Sequence, residues 1–121
     1  MSKVIHKLPK MYGEGEAAKE IGVEGEIIIN PPLLKQRLKY IKECNFKTND
    51  KGEVEVGTDT YDAIIKMIDI AEAHVEAVDV KVVESGRTYK TFLEMQADQA
   101  CDEAVQYIAS LILQGIKAGK I

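Results

Sequence analysis

The chain has 121 residues, 45% hydrophobic and 30% charged, with a net charge of -4, 6% aromatic residues and no tryptophan. That balance excludes a disordered tail, and an acidic chain this poor in aromatic rings is neither a general phosphate-backbone binder nor a base-stacking platform. A length of this order supports one modest core, which here must be aliphatic.

The first thirty residues are punctuated by Gly13, Gly15, Gly22 and Gly25 and by Pro9, and only Val4 to Leu8 and Val23 to Ile29 have strand character. Residues 1–29 are therefore expected to form a glycine-rich arm or a short hairpin. Asn30 followed by Pro31 is a helix-start signal, and Leu34, Leu38 and Ile41 recur at helical spacing behind it, with Lys35, Arg37, Lys39 and Lys42 on the rest of the surface. Asn49, Asp50 and Gly52 predict a turn, and Val54 and Val56 a short extended stretch.

From Thr58 to Asp79, with Asp59 or Thr60 as cap, the residues Tyr61, Ile64, Ile65, Ile68, Ala71, Val75 and Val78 trace one helical face. Met67 and Ile70 widen the apolar arc to about 220° at about 100° per residue, more than a small isolated domain ordinarily buries. Val80 to Val83 predicts a brief strand ended by Ser85 and Gly86. Thr91 to Glu94 is a capping box before an apolar run, with a second start at Asp98. Beyond it Cys101, Ala104, Val105, Ile108, Leu111 and Ile112 share one side, while Leu113 falls on the polar side, and Lys117 to Lys120 carry helix-end chemistry. Together these elements predict a mainly α fold, a helical domain of three to five helices over 30–121 with a minor β element. The surplus apolar surface predicts a partner and self-association surface formed by Met67, Ile70, Leu113 and Ile116.

Charge is unevenly placed. Residues 31–57 are net basic and 58–86 strongly acidic, zones that could face each other within the fold or between subunits, unless each is simply a solvated face. Chemistry-bearing motifs are sparse. Gly13, Gly15 and Ala18 match a loose dinucleotide-binding glycine pattern, but Pro9 spoils the preceding strand and no crossover helix fits before Val23. Glu72, His74 and Glu76 cannot converge on one helix, where residues two apart point about 200° away from each other. Cys44 and Cys101 form no spaced metal or disulfide pair, and Cys101 lies on an apolar face as a small hydrophobe. No catalytic, cofactor or metal residue is assigned. The longest apolar stretch, Ile108 to Ile116, is interrupted and far below the ~20 residues of a membrane span, and Met1 to Lys10 lacks the apolar region of a secretion signal, so a cytosolic protein is expected.

The segment Tyr89 to Lys120, with its short capped helix, acidic link at Asp98 and Asp102 and final run from Ala104 into a glycine-lysine tail, resembles the tail assembly chaperones of long-tailed siphophages. The helices over Pro31 to Cys44 and Thr58 to Val78 resemble other helical elements of that family. The resemblance implies a non-catalytic, homo-oligomeric protein that coats the hydrophobic, helical tape measure protein and keeps it soluble until tail tube protein polymerises around it. It places the protein in the cytoplasm of a bacterial host and outside the mature virion, without nucleic acid or membrane partners. Another small helical interaction module, such as a phage connector or regulatory adaptor, is the alternative reading, and a small enzyme is the remaining one.

Overall fold

A computed structural model describes residues 3–12, 15–44, 47–48, 54–55 and 61–114. The elements in chain order are β1 (Val4–Lys7), β2 (Met11–Tyr12), β3 (Lys19–Glu20), β4 (Val23–Ile29), α1 (Leu34–Cys44), β5 (Lys47–Thr48) and β6 (Val54–Glu55). They continue as α2 (Tyr61–His74), β7 (Val75–Val82), β8 (Thr88–Tyr89), α3 (Phe92–Gln96) and α4 (Asp102–Gln114), with short 3-10 turns at Gly15–Ala17 and Gln99–Cys101. The strands β1, β4, β7 and β8 form an antiparallel four-stranded sheet in that spatial order, while β2 pairs β3 and β5 pairs β6. Helix-on-sheet packing makes this an α/β fold, which corrects the expectation of a mainly α or all-α domain.

The correction has a local cause at the junction of α2 and β7. Val75 and Val78 are three residues apart, which reads as a helical step, yet both lie in β7 with their side chains buried. Ile28 is opposite Ala77 and Ile29 opposite Val75, so Glu76 is an extra residue in β7, a β-bulge. The bulge inserts one residue into the two-residue alternation and puts Val75 on the same face as Val78, Val80 and Val82. Helix α2 therefore ends at His74, and a β-branched strand begins at once where the helical pattern was expected to continue to Asp79.

Of the segment expected as an arm or short hairpin, β1 and β4 pair antiparallel as strands of the four-stranded sheet, and β2 and β3 form a separate pair between them in sequence. Val4 to Lys7 pair with Glu26 to Ile29 at one edge, and β4 lies between β1 and β7. Gly25, which reads as a hinge, is at the centre of this pairing with φ 135°, and a Cβ there would collide with the Asp79 carbonyl oxygen. Its role is close backbone approach.

One face of the sheet carries His6, Leu8, Val23, Ile27 and Ile29, with Val78, Val80 and Val82 beside them, and is sealed by the helices into one core with Met67, Ala71, Phe92, Met95, Ile108 and Ile112. The other face is solvated, and its charged residues meet across the strands with both unlike and like signs. Lys7 is opposite Glu26, which is opposite Asp79, and Glu24 is opposite Lys81. The capping box forms as the sequence indicates: the Glu94 N–H donates to Thr91 Oγ1 at 3.1 Å, and the Thr91 N–H donates to Glu94 Oε1 at 3.1 Å. Asp98 then caps the 3-10 turn that leads into α4 by accepting from the Ala100 N–H at 2.9 Å.

Candidate functional site

Helix α1 is delayed by its own prolines. Pro31 and Pro32 bias the residues before them toward extended backbone, so the helix begins at Leu34, later than the Asn30 start signal indicates, and its first bond runs from the Arg37 N–H to the Leu33 carbonyl at 2.9 Å. Asn30 is held by His74 instead. Its N–H donates to the His74 carbonyl at 2.8 Å, and its own carbonyl accepts from His74 Nδ1 at 2.9 Å. With Nδ1 donating, Nε2 is the acceptor for the Tyr40 hydroxyl at 2.9 Å, and the two rings meet edge-on at 5.5 Å. This chain of bonds pins α1 to the end of α2 through Tyr40.

Pinning through Tyr40 sets which way α1 faces. Tyr40 and Ile41 are partly buried, whereas Leu34 and Leu38 are 62% and 55% exposed and the preceding Leu33 is 67% exposed. The seam that reads as an inward face thus points to solvent. Beside it Lys35, Lys39 and Lys42 stand exposed on the next ridge of the helix. Leu33, Leu34 and Leu38 thus form an open apolar strip flanked by Lys35, Lys39 and Lys42.

The residues expected to form the partner surface lie elsewhere. Met67 is 2% exposed, Ile70 8% and Leu113 0%, all inside the monomer core, and Ile116 lies outside the described residues, as do Asp59, Thr60 and Lys117 to Lys120. Leu113 is fully buried: α4 packs against α1, α2 and α3, and its buried arc extends past Ala109 into the side that looks polar on a helical wheel. The wide arc of α2 is likewise absorbed, by the sheet, α1 and α4, save for Ile65, which is 58% exposed. Sequence reasoning missed Leu33, Leu34, Leu38 and Ile65. The available signal was width: α1 carries only a narrow seam, the pattern of pairing with one helix, while core helices carry a broad stripe.

Groups with chemical potential are dispersed or inert. Glu72 accepts from Gln96 Nε2 at 3.0 Å, Glu76 pairs with Lys3 at 2.8 Å, and His74 turns inward to Asn30, so the three have separate partners. Cys101 is fully buried, and burial first, then the Asp98 and Asp102 charges, push its thiol up to about 11. Among the described residues no group of three potential metal ligands comes together, and no helix is long and apolar enough to cross a membrane.

The other polar cluster is internal. His6 is 1% exposed, lies at 3.1 Å from the Tyr107 hydroxyl through Nε2 and stacks on that ring at 5.8 Å. Tyr12 meets Tyr107 edge-on at 6.0 Å, and burial followed by the neighbouring Glu103 carboxylate raises its hydroxyl above the ordinary range. Burial lowers His6, whose Nδ1 has no hydrogen-bond partner among the described residues. This cluster joins β1 to α4. No known protein family, curated protein or solved structure matches the chain.

Proposed function

We propose that this protein is a non-catalytic assembly chaperone of the phage tail assembly type, whose α1 seam holds an amphipathic helix of the tape measure protein in the cytoplasm of a bacterial host until tail tube protein replaces it. The observation that carries the reading is the exposure of Leu33, Leu34 and Leu38 on a helix tied to the core through Tyr40 and His74. A leucine left in water forgoes up to about 1.5–3 kcal/mol of burial, so such a seam gains from any client that supplies a matching apolar stripe. A long helical client offers that stripe repeatedly, which suits many copies on one chain.

Co-expression with the tape measure protein tests this. The client moves into the soluble fraction with the wild-type chain, and Leu34→Ser with Leu38→Ser abolishes that rescue while the melting transition stays in place. A client that remains insoluble beside abundant folded wild-type protein would defeat the reading.

A further inference from the structure

We infer that His6 is an acid-sensitive latch, whose protonation releases strand β1 from the sheet and from α4 while the rest of the fold stays closed. Three observations carry it, and none involves the α1 surface or a client. The His6 ring is 1% exposed although it stands on an edge strand. Its Nε2 lies 3.1 Å from the Tyr107 hydroxyl, whereas its Nδ1 has no hydrogen-bond partner among the described residues. Strand β1 is four residues long and pairs along one side, with β4, while β4 is itself held by β7 from Val23 to Ile29.

The surroundings of the ring are built for its neutral form. From α4, Tyr107 stacks on it at 5.8 Å, and from β2, Tyr12 meets Tyr107 edge-on at 6.0 Å. From β4, the residue opposite His6 is the fully buried Ile27. The carboxylate of this cluster, Glu103 of α4, is hydrogen-bonded to the Tyr12 hydroxyl. The charges next to His6 along β1 lie on the solvated side, where Lys7 is opposite Glu26. An imidazolium here would carry a full charge and a second N–H on Nδ1 with nothing to receive either. His74 differs, because both its nitrogens have partners and the Tyr40 hydroxyl can turn to accept from a protonated Nε2.

Lifting β1 gives the ring to water, where it takes up a proton near its ordinary 6.5. Burial keeps the closed-form value lower, so every proton gained as pH falls below about 6.5 favours the open form, and above it the latch is shut. From about pH 7.5 to about pH 5 the opening equilibrium of β1 can rise by at most about 30-fold through this one group. The strand has little else to keep it down. Its flanking ion pair, Lys3 with Glu76, is 60% and 39% exposed and holds weakly. Release uncovers Ile27 and Ile29 and the backbone edge of β4, which stays paired to β7.

Hydrogen exchange on the full chain, read by mass spectrometry at about pH 7.5 and about pH 5 and corrected for the intrinsic pH dependence of the rates, is the test. In the wild type, protection over Val4 to Leu8 falls at least several-fold and by no more than about 30-fold, while Ile108 to Ile112 of α4 keep theirs. The proton NMR resonances of the His6 ring titrate in step with that loss. His6→Phe, which keeps a ring against Tyr107 and cannot titrate, leaves β1 equally protected at both pH values. Protection over β1 that does not change with pH, a loss shared equally by β1 and α4, or a His6 ring that titrates while β1 stays protected would each overturn the inference, and all three are read on the wild type. A folded His6→Phe variant with the full acid response of the wild type would overturn it as well.

Discussion

Helices α1 and α4 are both amphipathic and nearly equal in length, yet one buries its apolar face and the other presents it to water. In α4, Ala104, Val105, Ile108, Ala109, Ile112 and Leu113 are all buried, a broad arc on a helix that packs against α1, α2 and α3 at once. In α1 the arc is a seam of Leu34, Leu38 and Ile41, and the helix is anchored by the Tyr40–His74 bond off to one side of it. Width, more than hydrophobic character alone, separates them. A broad stripe can be covered only by several elements of its own chain, whereas a narrow one fits a single partner helix and can be left for it.

The largest expected effect lies on the buried side of the comparison. Ile108→Ala removes a fully buried side chain from the centre of α4 and lowers the unfolding free energy by about 2–5 kcal/mol, read from the denaturation midpoint at constant m-value. A loss below about 0.5 kcal/mol would mean that α4 is not the core helix.

Next comes the sheet that α4 covers. Gly25→Ala drives a methyl group into the Asp79 carbonyl and places alanine at φ 135°, so it costs about 1–3 kcal/mol, visible as a lower melting temperature. A neutral result would return residues 1–29 to the status of an appendage.

Acid probes the buried His6 beneath the sheet. Burial holds the folded-state value of His6 below its ordinary 6.5, so the unfolded chain takes up the proton first as pH falls. The His6 contribution is complete above about pH 6.5 and is lost as pH drops from there toward the lower folded value. His6→Phe, which keeps a ring against Tyr107, should flatten that part of the stability profile. An unchanged slope in urea titrations from about pH 7.5 to about pH 5 would show that His6 is not the group responsible.

The smallest effect is expected on the open side. Leu38→Ser should change the stability of the monomer by no more than about 0.5 kcal/mol, because the side chain is more than half exposed. A loss of 2 kcal/mol or more on the scale of core truncations would move Leu38 into the core and remove the distinction between the two helices.

Local sequence determined a good part of this molecule. The Thr91–Glu94 capping box, the second start at Asp98, the apolar period of α4, the strand character of Val4 to Leu8 and Val23 to Ile29 and the turn at Ser85 and Gly86 all follow from residues a few positions apart. Only the tertiary structure decided the rest. The sheet joins β1, β4 and β7 across more than forty intervening residues between β4 and β7, and its bulge at Glu76 gives the start of a strand the spacing of a helix. Pairing at that distance leaves no mark on local period, which is why a hinge-like glycine proved to be a close-contact glycine. Nor can a helical wheel say which of several apolar faces will be covered. Leu113 is buried and Leu38 is open because a core of this size has room for the faces its sheet and anchoring bonds reach, and the Tyr40–His74 bond turns α1 so that its leucines are left outside.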